Sequence, residues 1–224
     1  MDADARPRPS TPVMKTFAVL AVLAQLVFTA TWLVAPLWQG PSYNVLQHSI
    51  SDMYAVTAPN GLVLVVVFTI CGALTILFAL LSLLPALRPA GGAAVIGAVL
   101  LALSIFGLGD LLSPFERLAC RLADAGCTTA AQVANAGGAT DAVVSTIGVI
   151  LFIGAAIFLS VAMQRTDGWR AWVWPTRVVA IAVIAVFFAE GLLGSTGIGG
   201  LLERVLAALG AISIGLAAAR ISRR

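Results

Sequence analysis

His48 is the only histidine in the chain, and Asp52 follows it four residues later with Ser49 and Ser51 between. If VLQHSISDMY forms a short helix lying at a membrane interface, that spacing stacks imidazole and carboxylate on one face. A carboxylate beside an imidazole raises its pKa and fixes its tautomer, as a general base or a metal ligand requires. Ser49 or Ser51 would then stand near a base. Two further carboxylates, Asp110 and Asp141, together with His48 and Asp52 would make a carboxylate-rich site for one divalent cation, suiting Ca, Mn or Mg better than zinc. No HExxH, Walker, GxSxG or paired CxxC pattern occurs.

The surroundings of these residues explain why they stand out. The chain is 60% hydrophobic and only 10% charged, where a soluble domain needs roughly 25% charged residues. The sequence therefore predicts an all-α polytopic membrane protein. Six stretches are long and apolar enough to span a bilayer: 14–36, 61–84, 91–112, 141–163, 175–194 and 201–220. The runs are continuous, which excludes an alternating barrel pattern. Residues 1–13 are polar and proline-rich and are expected to be a disordered tail. Residues 37–60 and 113–140 form the long connections.

Arg6, Arg8, Lys15, Arg88, Arg165, Arg170, Arg177, Arg220, Arg223 and Arg224 all fall on one side of a six-span chain. Both termini are thus expected in the cytoplasm, with the protein in the plasma membrane. Trp169, Trp172 and Trp174 would form the inner aromatic belt, and Trp32, Trp38, Tyr43 and Tyr54 the outer one. A net charge of +3 is too small to suggest nucleic acid. Cys120 and Cys127 fall in the long outer connection, where an oxidising compartment favours a disulfide. Cys71 is expected to be a packing residue within a span.

A charge inside a bilayer costs about 2.5–3.5 kcal/mol on insertion scales, so each one needs a reason. Asp110, Asp141, Glu190, Glu203 and Arg204 all fall at the outer face, alongside His48 and Asp52. Their convergence predicts an outward-facing polar pocket that binds a lipid headgroup or a small polar ligand through Ser49, Ser51, Asp110, Asp141, Glu190 and Arg204. Glu190 and Arg204 flank a short turn and are expected to pair, while Glu203, about 100° further round its helix, would face water or headgroups. Gln25 is expected to bond a neighbouring helix. Small residues every four positions, at Ala94, Ala98 and Ala102 and again at Ala207, Ala211, Gly215 and Ala219, suit close helix packing within the bundle, or a protein partner.

Three segments, GPSYNVLQHSISDMYA, FGLGDLLSPFE and GIGGLLERVLAALGAISIGLAAARI, carry a resemblance to the bacterial family known as domain of unknown function 998. The likeness extends from Val19 to Ile221 and implies a six-helix membrane fold. A histidine commonly begins the fourth span in that family; Asp141 stands there in this chain. The difference leaves a mixed rather than a two-histidine metal site. The resemblance implies no activity. A binding protein is the leading expectation. A metal-assisted or acid–base hydrolase of an envelope lipid is the alternative, with His48 as base and Asp52 orienting it, and an accessory or scaffold subunit is the third reading.

Overall fold

The computed structural model describes residues 11–224. Among these, six helices are long and apolar enough to cross a membrane: α1 Pro12–Trp38, α2 Gly61–Ala90, α3 Gly92–Phe115, α4 Ala136–Gln164, α5 Arg170–Thr196 and α6 Gly199–Ser222. No strand occurs among the described residues. The chain is an all-helical integral membrane protein.

Local chemistry sets several boundaries. Thr11 caps α1 by accepting from the Met14 N–H (3.3 Å), and Pro12 follows at a position that needs no donor. Pro12 and Val13 of the segment expected as a tail, residues 1–13, lie in α1 with Thr11 as its cap, and residues 1–10 lie outside the described residues. Asn135 caps α4 in the same way through the Gly138 N–H (2.7 Å), so that span begins before Asp141.

Each helix packs on its neighbours in chain order, and α6 returns to α1, closing a ring. Ala94 and Ala98 are fully buried on α3, and Ala207 and Ala211 are buried on α6. Without a hydrophobic drive between helices in lipid, these small side chains let backbones approach. Gln25 of α1 donates to the Thr75 hydroxyl of α2 (3.0 Å), the interhelical bond expected of it. Cys71 is buried and donates to the Ala24 carbonyl, as a packing residue would. Of α5, only Ala180 and Val183 in its first half are buried, so that helix is held mainly at the end nearer the termini.

Helix α3 is not continuous. A regular stretch Gly92–Leu103 ends at Ser104, whose ψ of 176° is extended, and the chain resumes as a wide π-type turn over Ile105–Gly109. A break at membrane depth survives only where the freed backbone groups find partners inside the protein. Here the Ser104 carbonyl accepts from the N–H groups of Gly107 and Gly109 (3.1 Å each), and its hydroxyl donates to the Leu101 carbonyl. Glycines on neighbouring helices make room. A Cβ on Gly148 of α4 would lie 2.8 Å from the Ile105 nitrogen, and one on Gly72 of α2 would collide with the backbone of Gly107, Asp110 and Leu111. The break carries Phe106 to the bundle centre, where its ring sits 4.9 Å from Phe152 and 6.2 Å from Phe28.

Cys120 and Cys127 form a disulfide with Cα atoms 6.1 Å apart. The small loop it closes presents Arg121, which donates to both the carbonyl (2.8 Å) and the side-chain oxygen (3.2 Å) of Gln39 and pairs with Asp124 (2.5 Å). Arg117 donates to the carbonyls of Tyr54 and Ala55 (2.9 Å each). The α1–α2 and α3–α4 connections therefore form one roof over the end of the bundle opposite the termini. At the other end Trp169 departs from the expected lipid-facing belt. It is fully buried, with the guanidinium groups of Arg220 and Arg224 over its ring at 5.0 and 5.2 Å.

Candidate functional site

Beneath the roof, inside the helix ring, lies a cavity of about 690 Å³. Four helices each bring one acidic side chain to its wall: Asp110 from α3, Asp141 from α4, Glu190 from α5 and Glu203 from α6. The connections add Ser49, Ser51, Tyr54 and Gln132, and aromatic rings fill much of the remaining lining. Asp141 accepts from the Ser51 and Tyr54 hydroxyls (3.2 and 3.3 Å). Glu203 accepts from the Ile50 N–H at 2.6 Å. It therefore faces inward and holds the roof, contrary to the expectation that it meets water or headgroups. Asp110 ends the broken part of α3; without the Ser104 break, a straight helix would give that side chain a different heading.

His48 and Asp52 are not brought together. The segment expected to be helical is a series of turns up to Ile50 and a 3-10 turn at Ser51–Tyr54, so the four-residue stacking of an α-helix never forms. His48 is half-buried, and its Nδ1 accepts from the Asn44 N–H (3.0 Å), which leaves the proton of the neutral ring on Nε2. Burial, with Arg121 and Arg204 nearby, holds its pKa below the ordinary value, the reverse of the rise expected from a carboxylate partner. Asp52 is fully buried, and burial pushes its carboxyl up to about 6. Its Oδ1 accepts from Gln132 Nε2 (2.6 Å) and the Leu122 N–H (3.2 Å), making it a strut between the two connections. Neither residue lines the cavity, whereas Asp110 and Asp141 do. Among the described residues no three His, Cys, Asp or Glu side chains are grouped so as to hold a metal ion.

The expected Glu190–Arg204 pair is also replaced by other bonds. Arg204 Nη1 donates to the carbonyls of Val45, His48 and Gly200 (2.8, 2.9 and 2.8 Å), and Nη2 to the Tyr43 hydroxyl (2.6 Å). Gly200 makes this possible, because a Cβ there would press on the carbonyls of Val45 and His48. The guanidinium thus meets the carbonyls of the roof before it can meet the carboxylate across the turn. The carboxyls of Asp110 and Glu190 have no hydrogen-bond partner among the described residues.

With this geometry in view, comparison of the sequence with family models gives one match, described as Protein of unknown function (DUF998), over residues 22–220. The chain belongs to the DUF998 family. Comparisons with curated proteins and with solved structures find no match. The matched segment contains every residue that lines the cavity.

This DUF998 protein also uses residues that hydropathy and motif reading passed over. Tyr54, expected only as part of the outer aromatic belt, donates to Asp141, while Gln132 and Glu116 carry no motif or spacing that marks them. Arg117 serves the roof carbonyls, and Glu116 is 3% exposed with Oε1 unpartnered. Burial, reinforced by Asp141, pushes the Glu116 carboxyl up to about 8 from its ordinary 4.5. Between those values the folded chain holds a proton that the unfolded chain has released. Stability contributed by this group is therefore full below 4.5, falls as pH rises toward 8, and is flat above it. Glu116→Gln should remove that part of the slope and melt higher than the parent at about pH 9, with little difference at about pH 4. Thermal unfolding in detergent at the two pH values checks this; equal slopes for both proteins would refute it.

Proposed function

We propose that this protein binds a lipid headgroup or a small polar ligand in the carboxyl-lined cavity, on the outer side of the cell membrane. One observation carries the reading: acidic groups from four different helices, each costly to keep at membrane depth, open onto a single hollow of about 690 Å³. The distribution of arginine and lysine supports cytoplasmic termini, which puts the roofed end outside. The disulfide in the roof agrees with an oxidising compartment.

Thr146 offers a direct test. It lines the cavity yet is exposed on the bundle surface, and its hydroxyl donates only to the Ala142 carbonyl one turn back. Thr146→Trp would fill the mouth without disturbing the packed side of α4. Purified parent protein is expected to retain a bound ligand detectable by mass spectrometry of the organic extract. The variant should lose it while melting within a few degrees of the parent. Equal retention in both proteins would remove the cavity as the binding place.

A further inference from the structure

The cavity has an excess of hydrogen-bond acceptors. Asp110 and Glu190 present carboxyl groups with no hydrogen-bond partner among the described residues. Gln132 is only 8% exposed; it gives its Nε2 to Asp52 and leaves its amide oxygen without a donor. Most hydroxyls at the wall are committed: Ser51 and Tyr54 donate to Asp141, Ser145 to the Asp141 carbonyl and Thr146 to the Ala142 carbonyl, which leaves those of Ser49 and Thr129 as the uncommitted donors. No lysine, arginine or histidine lines the space, and Arg204, the nearest candidate by sequence, is spent on the roof. An anionic headgroup would meet carboxylates without a counter-charge. A ligand that brings its own donors and a positive charge would suit such a wall.

The rings and the mouth narrow the class further. Phe28, Phe68, Phe106, Phe187, Phe188 and Tyr54 surround the same space, and aromatic faces attract ammonium groups. Phe188 and Leu192 of α5 line the cavity while being 64% and 78% exposed, and Thr146 on α4 is exposed too. All three lie within spans, so the opening between α4 and α5 faces the hydrocarbon layer. This is also the half of α5 that has no buried residue.

Resting on the binding function proposed above, we infer that the occupant is an amphiphile with an amine or ammonium head, entering sideways from the bilayer between α4 and α5. The head would lie against the acidic wall of the cavity, and its alkyl chain would leave past Phe188 and Leu192 into lipid.

The test uses the full chain in nanodiscs of equal phosphatidylethanolamine and phosphatidylglycerol, two lipids that share a phosphate and differ in the ammonium. Native mass spectrometry of the released protein reads the lipid retained. Parent protein should hold the ethanolamine lipid over the glycerol lipid by about tenfold, and Asp110→Asn with Glu190→Gln should bring the two near parity. Because that double variant could fold poorly, the parent is also challenged with decylammonium and with decanol. Only the ammonium should displace the ethanolamine lipid. Equal retention of both lipids, preference for the glycerol lipid, or equal displacement by decanol would overturn the ammonium assignment while leaving a binding cavity standing. Retention of neither lipid, with no difference between the parent and Thr146→Trp, would overturn the assignment and the binding function together.

Discussion

Gly72→Ala is expected to destabilise the bundle by about 2–3 kcal/mol, near the upper range for overpacking a tight contact. The new Cβ would stand 2.9 Å from the Asp110 carbonyl carbon and closer still to the Leu111 nitrogen and the Gly107 oxygen. All three atoms are backbone, so no rotamer change relieves the collision. Only a shift of the second half of α3 would do so, and that shift would carry Asp110 out of the cavity wall. Gly191→Ala on α5 is the matched control, since nothing lies within 4 Å of its added Cβ. It should be neutral or gain a few tenths of a kcal/mol from helix propensity. Unfolding midpoints in detergent compare the two directly. If both variants melt with the parent, the close approach of α2 and α3 described above does not exist.

Arg204→Met is the second large effect, about 2–4 kcal/mol, because hydrogen bonds from a charged donor are worth more than neutral ones. The methionine keeps much of the stem but releases the carbonyls of Val45, His48 and Gly200 and the Tyr43 hydroxyl. Tyr43→Phe loses the bond from Arg204 and the donation to the Ser49 carbonyl (2.8 Å) but leaves the three Arg204–carbonyl bonds in place, so it should cost less, about 1 kcal/mol. Arg204→Lys should fail to restore the loss, since a point ammonium cannot reproduce a two-pronged fork reaching carbonyls and a phenol together. Hydrogen exchange should rise for the amides of Gly200 and Leu201, which donate to Gln47 and Leu46 (3.2 and 3.1 Å) across the same joint. Full rescue by lysine would show that charge alone, and not the fork, holds the roof.

Much of this architecture could be read from apolar run lengths, because a span must cover a fixed thickness whatever its neighbours are. The end residues moved by up to several positions: α4 starts at its Asn135 cap and not at Asp141, where the first charge had suggested an edge. The break at Ser104 was hidden because Leu103, Ser104 and Ile105 read as one apolar run, and only the partners of the backbone groups reveal it. Gly107 and Gly109, three and five residues beyond Ser104, were the one local sign. That acidic groups from distant spans share a hollow was legible from their common depth. Which member of an adjacent pair turns inward was not. Glu203 and Arg204 exchanged their expected directions because the rotation of α6 is set by packing against α1 and α5, and charge pattern alone does not encode it. His48 and Asp52 failed as a pair for a simpler reason: four-residue spacing means proximity only in an α-helix, and the chain turns instead.

The ring order of the helices has a consequence for how the protein is made. During synthesis each new span finds its predecessor already in place, so five of the six seams can form as the chain emerges. The seam between α6 and α1 must wait for α6 itself, and the same helix delivers Glu203 to the Ile50 amide and Arg204 to the roof. A ribosome-bound intermediate lacking that helix would hold an open crescent with one acidic wall missing. Arrival of α6, and not insertion of the early spans, is the event that creates the hollow.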